Sequence, residues 1–193
     1  MKYTFVLLAV CLYLNTLAAQ DRFSVLAGGI AGYQKVEAES FRNVYGNSKF
    51  SYGGLVGVGN GEVYLGCKYR IMNVEDRSTK INGVDFTGDW KERLIVAGFH
   101  YYPRVPFHVE AGYVWLAADE SLTPPFATSL SAVNRTYQDH GIDILVGLSL
   151  GHDIRVNFDI EYLLMLKNGS LSDGGTLPNL GGIYYGAGIC YLL

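Results

Sequence analysis

Between residues 154 and 166 the chain reads IRVNFDIEYLLML. Its even positions, Ile154, Val156, Phe158, Ile160, Tyr162, Leu164 and Leu166, are all apolar. Its odd positions open with Arg155, Asn157, Asp159 and Glu161. Successive side chains of a strand point to opposite sides, so this period of two describes one strand with two dissimilar faces. The run exceeds the usual strand length of about 5–6 residues. It suits the ~9–11 tilted residues that a strand needs to cross a bilayer.

The same alternation recurs along the chain. It predicts strands at 23–33, 49–58, 62–74, 90–102, 107–117, 140–150, 154–166 and 182–193. The connections alternate in length. Long ones are 34–48, 75–89, 118–139 and 167–179, and short ones are 59–61, 103–106 and 151–153. Asn82-Gly83 favours a two-residue hairpin turn, because both positions accept positive φ, so Lys80-Ile81 and Val84-Asp85-Phe86 could extend the flanking strands as a protruding ribbon. Around it, Ile81 and Val84 would pair on one side, whereas the apolar face of 90–102 is odd-numbered. That mismatch predicts a bulge between Asp85 and Arg93, or a longer turn.

Residues 1–19 read as a cleaved signal peptide: Lys2 supplies a positive start, 5–14 is apolar, and Leu17-Ala18-Ala19 precedes Gln20. A lipid anchor on Cys11 is disfavoured because Val10 stands where a small residue is expected. Residues 20–193 then form one domain. Beyond the leader there is no apolar run of ~18 residues, hence no membrane helix. Yet 49% of the chain is hydrophobic, with 24 Gly and 15 Tyr. A net charge of −3 argues against nucleic acid as a partner.

Alternation alone leaves the solvent undecided. A soluble lipocalin-like barrel buries its apolar face, whereas a membrane barrel turns it outward and keeps polar residues inside. Three features favour the membrane. The polar faces are rich in glycine: Gly66, Gly98, Gly112, Gly147, Gly186 and Gly188. Glycine weakens an exposed strand but suits a crowded narrow lumen. Aromatic residues gather near the strand ends of the apolar face as a lipid-facing girdle: Phe23, Tyr33, Phe50, Tyr52, Tyr101, Phe107, Trp115 and Tyr191. Short turns fall on one rim and long loops on the other. The expected fold is an all-β, eight-stranded antiparallel up-and-down transmembrane β-barrel.

With its leader, eight amphipathic strands, alternating rims and a last strand running Tyr185-Tyr-Gly-Ala-Gly-Ile-Cys-Tyr-Leu-Leu193, the chain resembles a family. That family is the small eight-stranded outer-membrane β-barrels of Gram-negative bacteria, typified by the OmpA transmembrane domain and OmpX. The chain ends in Leu193 where that family usually carries Phe. The resemblance implies outer-membrane localisation, contact with outer-membrane lipids, insertion by the barrel-assembly machinery, and a monomer. It carries over no functional residue.

Inward positions are expected to build a polar lumen network of Glu62, Lys68, Arg70, His108, Glu110, Asp143, Arg155, Asn157, Asp159 and Glu161, with His100 nearby. Strands three and seven lie opposite each other, so Lys68 and Arg70 are expected to reach Asp159 and Glu161. An eight-stranded lumen is only wide enough for side chains, and buried charges need partners. A salt-bridged plug is the expectation and a narrow conduit the alternative. Cys67 and Cys190 fall on non-neighbouring strands and opposite faces, which predicts two free thiols. They form no metal site.

No catalytic, cofactor or metal residue is assigned. The Asp139-His140 pair lies beside Ser129 and Ser131, and His152-Asp153 forms a turn. The lipid A deacylases of similar shape use a His-x-Ser spacing that this chain lacks. The function read from the sequence is structural or surface-interacting, through the four long loops and an extracellular ligand or host surface. A lipid A-modifying enzyme, a small channel and a soluble ligand-binding barrel stand as alternatives. The hairpin at Asn82-Gly83 could also offer an edge for strand addition.

Overall fold

The computed structural model describes residues 24–81, 83–103, 106–125 and 130–193. The leader, Phe23, Phe126 and Ser129 lie outside the described residues. The elements in chain order are β1 (Ser24–Val36), α1 (Glu39–Tyr45), β2 (Lys49–Gly59), β3 (Val63–Ile81), β4 (Val84–Tyr101), β5 (His108–Thr123), β6 (Val133–Gly151), β7 (Ile154–Met165), a two-residue β8 (Ser170–Leu171) and β9 (Gly182–Leu192). Each barrel strand pairs antiparallel with its chain neighbours, and β1 pairs with β9 to close the circle. Closure removes every sheet edge within the barrel wall. β8 adds a short pairing to β6, Tyr137↔Leu171 and Gln138↔Ser170.

The barrel is inverted relative to a soluble protein. Ile160 is 58% exposed and Val146 56%, whereas Arg70 is 1% exposed and Glu161 is fully buried. The girdle residues Tyr33, Phe50, Tyr52, Tyr101, Phe107, Trp115 and Tyr191 all face outward. The 12 residues of β7 rise about 40 Å at ~3.3 Å each. At a tilt of ~40° that covers roughly 30 Å, enough for an apolar band of ~25 Å. Cys67 lies on the outer face and Cys190 inside, both as free thiols. No helix among the described residues is long and apolar enough to cross a membrane.

β3 and β4 continue as a paired ribbon to Ile81↔Val84, as the hairpin reading of Asn82-Gly83 expects, and Gly83 takes φ 83°. Other segments differ from the sequence expectation. The parity break lies on β3 and not between Asp85 and Arg93. Register shifts between Val74 and Arg77, where Glu75 and Asp76 stand opposite Asp89 alone. Asp76 bulges with φ 54°, and its N–H bonds Asp89 Oδ1 at 2.9 Å. Much of the expected loop 118–139 is also strand, pairing as far as Leu122↔Val133. This β5–β6 extension escapes a search for apolar alternation because backbone hydrogen bonds hold a ribbon whose side chains need not alternate. The loop at 34–48 contains α1, whose Phe41 and Tyr45 share one face and are buried.

Inward positions form layers. Along β3 they run Tyr64, Gly66, Lys68, Arg70, Met72 and Val74 from the short-turn end upward. Leu26, Ile30, Leu55, Tyr64, Tyr102 and Cys190 pack together in the lower barrel. A second apolar core at the long-loop end joins Met72, Leu94, Val114, Leu163 and others to Phe41 and Tyr45 of α1 and to Leu177 and Leu180. The charged layer sits between them.

Candidate functional site

Lys68 is the hub of the charged layer. Its Nζ lies 2.9 Å from Glu110, 3.0 Å from Asp143 and 2.8 Å from Glu161. Arg70 donates to Glu161 at 2.9 Å and to Gln34 Oε1 at 3.2 Å, with its guanidinium 4.1 Å from the centre of the Tyr184 ring. Gln34 Nε2 in turn donates to Glu92 at 3.2 Å, as does Trp90 Nε1 at 3.3 Å. His100 Nδ1 lies 3.0 Å from Glu110 Oε1, and His108 Nε2 lies 3.0 Å from Asp159 Oδ1. His108 stacks on Tyr102 with centroids 4.7 Å apart. Asn157 donates to Tyr102 Oη and Cys190 Sγ, both at 3.2 Å.

The structure brings Lys68, Arg70, His108, Glu110, Asp143, Asn157, Asp159 and Glu161 together in the interior, and three placements differ from the sequence expectation. Asp159 pairs with His108 on β5 and not with Lys68 or Arg70. Glu62 does not enter the lumen: it is exposed in the turn before β3, where its N–H bonds Asn60 Oδ1 at 3.2 Å. Arg155 stays at the mouth, half-buried, with Nε on His152 O at 3.2 Å. Both residues line a vestibule of about 480 Å³ whose inner lining includes the fully buried rings of Tyr64 and Tyr102. Strand starts sit where turn geometry puts them, and parity alone does not locate the rim.

Sequence reasoning missed Gln34, Glu92 and Tyr184. Parity could have found Gln34, which continues the even face of β1, but its position in a polar run made it look like loop.

Two glycines make the lumen possible. A Cβ on Gly147 would fall 2.3 Å from His108 Cε1 and 2.6 Å from Asp159 Oδ1. One on Gly66 would fall 2.7 Å from His100 Nε2. Each imidazole occupies the space that a neighbouring side chain would need.

Glu92, Glu110, Asp143, Asp159 and Glu161 share this interior with two permanent cations, Lys68 and Arg70, and with His100 and His108. These side chains fill the middle of the barrel.

The other residues considered for chemistry are held elsewhere. The Asp139 carboxylate faces in and accepts the N–H groups of His140, Lys167 and Asn168 at 2.8, 3.2 and 3.2 Å. The His140 ring faces out and stacks near Tyr113, centroids 5.8 Å apart. Asp139 is thus a backbone clamp and orients no imidazole. His152 and Asp153 pair at 2.7 Å on an exposed turn. Among the described residues no group of His, Cys, Asp or Glu is arranged to hold a metal ion.

At the long-loop end, above the apolar band, Glu120 collects the hydroxyls of Tyr45 and Tyr137 at 3.2 and 2.6 Å. Burial and the Glu120 charge push both phenols above their ordinary range. Trp90 packs between Phe41, at 5.0 Å, and Tyr137, at 5.2 Å. Beside this cluster a cleft of about 390 Å³ opens between α1, the β5–β6 ribbon and the last loop, lined by Phe41, Val44, Leu122, Arg135, Tyr137 and Pro178 among others.

An outward apolar band, a filled charged lumen and a loop-built head define a small eight-stranded membrane β-barrel. No protein-family model matches the chain, and no curated protein matches it in sequence. Solved structures do share the fold, which is that of the small outer-membrane barrels. A major outer membrane protein from Thermus thermophilus superposes with a TM-score of 0.60 at 11% identity, over 89% of this chain and 99% of that one. Ail, the attachment invasion locus protein of Yersinia pestis, gives 0.53 at 11% identity over 89% and 98%. OprG of Pseudomonas aeruginosa gives 0.52 at 13% identity over 89% and 95%.

Proposed function

We propose that this chain is an integral outer-membrane protein with a closed lumen and a non-catalytic role in surface interaction, carried by its long-loop head. The observation that carries the reading is the Lys68 network lying between two apolar cores, which leaves the lumen as structural filling. Recognition then falls to the head, where α1, the two ribbons and the 390 Å³ cleft are mounted on a rigid wall. Export through residues 1–19, insertion by the barrel-assembly machinery, and a monomeric state complete the proposal.

Ail has been solved with the heparin analogue sucrose octasulfate. The head here carries charges of both signs. Glu75, Asp76, Asp85 and Asp89 accompany Arg77 and Lys80 on the β3–β4 ribbon. A polyanion would meet repulsion there, so the apolar cleft is the better contact for a ligand or host surface.

Planar-bilayer recording of the purified protein and of Arg70→Ala tests the closed lumen; both are expected to lack porin-size conductance, and finding it in the wild type would overturn that half. Cells displaying the protein are expected to bind a target surface better than cells displaying a variant with 77–88 and 119–136 cut back to tight turns. Equal binding would remove the surface role. A changed lipid A mass on expression would establish the enzyme reading instead.

A further inference from the structure

The outer wall carries a groove of about 870 Å³ at the long-loop limit of the apolar band. Strand register stacks two different rows there. The lower row runs Tyr69↔Ile95↔Trp115↔His140, and the upper runs Ile71↔Arg93↔Ala117↔Gln138. On β4, Ile95, Ala97, Phe99 and Tyr101 face outward below Arg93, so Arg93 stands where apolar surface gives way to polar. Ala117 is small and leaves the floor open between Arg93 and Gln138.

The far wall is built and held. Residues 168–170 line the groove. Lys167 turns the chain with φ 55°, and buried Asp139 clamps the N–H groups of residues 167 and 168. Gln138↔Ser170 pairing then lays the loop along β6. Gly169 approaches so closely that a Cβ would fall 1.7 Å from Gln138 O.

The Arg93 guanidinium uses one nitrogen on Asp119 Oδ2, at 2.8 Å, and Asp119 is itself anchored by Thr136 Oγ1 at 3.1 Å. A guanidinium has five donors in a planar fork. Its remaining donors are available to an oxyanion in the groove, with Gln138, His140, Asn168 and Ser170 around it as polar partners. Lys91 follows Arg93 on the same outer face and adds positive charge above. Below, Trp115 and Ile95, both exposed, offer a surface for acyl chains.

We propose that this groove binds one lipid of the surrounding leaflet, gripping a phosphate-bearing anionic headgroup at Arg93 while the chains lie along Ile95 and Trp115. The site is separate from whatever the head recognises. It rests on the outward face meeting lipid, which Ile160→Arg tests independently below.

Native mass spectrometry of the full barrel in detergent, titrated with phosphatidylglycerol or phosphatidylcholine, reads the site directly. Wild type is expected to retain a single phosphatidylglycerol at least about fivefold more tightly than phosphatidylcholine, whose choline faces Arg93 and Lys91 with like charge. Arg93→Gln should bring the two lipids within about twofold of each other. Ala117→Trp should abolish the tight binding by filling the floor, and Lys35→Gln, on the opposite wall, should change nothing. Heat-modifiable migration confirms that each variant is folded. Millimolar inorganic phosphate should leave lipid occupancy unchanged; displacement would show a free-anion site and overturn the lipid assignment. Equal retention of both lipids, or a preference that survives Arg93→Gln, would also overturn it.

Discussion

Lys68 Nζ on β3 lies 2.8 Å from Glu161 Oε2 on β7, directly across the barrel. The two strands are never hydrogen-bonded neighbours. One ion pair therefore ties opposite walls together, and Glu110 and Asp143 bring β5 and β6 to the same nitrogen.

Removing that nitrogen takes away the cation that three buried carboxylates share; Glu161 keeps Arg70 and Glu110 keeps His100, whereas Asp143 loses its basic partner. Lys68→Met is expected to cost about 3–5 kcal/mol, the usual penalty for breaking a buried pair from one side. Lys68→Met/Asp143→Asn should recover part of the loss, because the carboxylate left without a cation loses its charge too. Urea unfolding in lipid vesicles measures both. A single-variant loss below about 1 kcal/mol would show that the network contributes little.

The orientation of the wall rests on residues such as Ile160, 58% exposed in the middle of β7. Ile160→Arg places a charge on the lipid face and should destabilise the barrel by ~2–4 kcal/mol near the midplane. The same unfolding measurement reads it. A neutral result would mean that this face meets water.

Gly147 leaves room for the His108–Asp159 pair. Gly147→Val is expected to block folding, seen as loss of heat-modifiable migration. His108→Ala in that background should restore a folded band, since it removes the nearest clashing atoms. A folded, equally stable Gly147→Val would show that the lumen is looser than its contacts indicate.

The head carries a pH limit. Tyr45 and Tyr137 donate to Glu120, and their folded pKa values stand above the ordinary phenol value. A pKa raised on folding gives stability that is complete below the unfolded value of about 10 and is lost as pH climbs toward the folded value. Absorbance at the tyrosinate band should show these two phenols titrating late, and Tyr45→Phe/Tyr137→Phe should delete that late component. Titration of all tyrosines near their ordinary pKa would contradict the buried Glu120 cluster.

Alternation from residue to residue is a local property, so the sequence alone determined which side chains face outward and which face inward. Lys68, Arg70, Glu110, Asp143 and Glu161 were legible as lumen residues for that reason, and so were seven girdle aromatics. Partner choice was decided only by the tertiary structure. Strand tilt and shear set the height of each inward residue, which sends Asp159 to His108, brings Gln34 and Glu92 to Arg70, and leaves Glu62 and Arg155 at the mouth. Much of the head was equally hidden. α1 is too short to show a period, and the β5–β6 ribbon is held by backbone hydrogen bonds that no side-chain pattern records, whereas the β3–β4 ribbon was announced by Asn82-Gly83. The groove at Arg93 exists because a loop much further along the chain, at Asn168 to Ser170, folds back against β6.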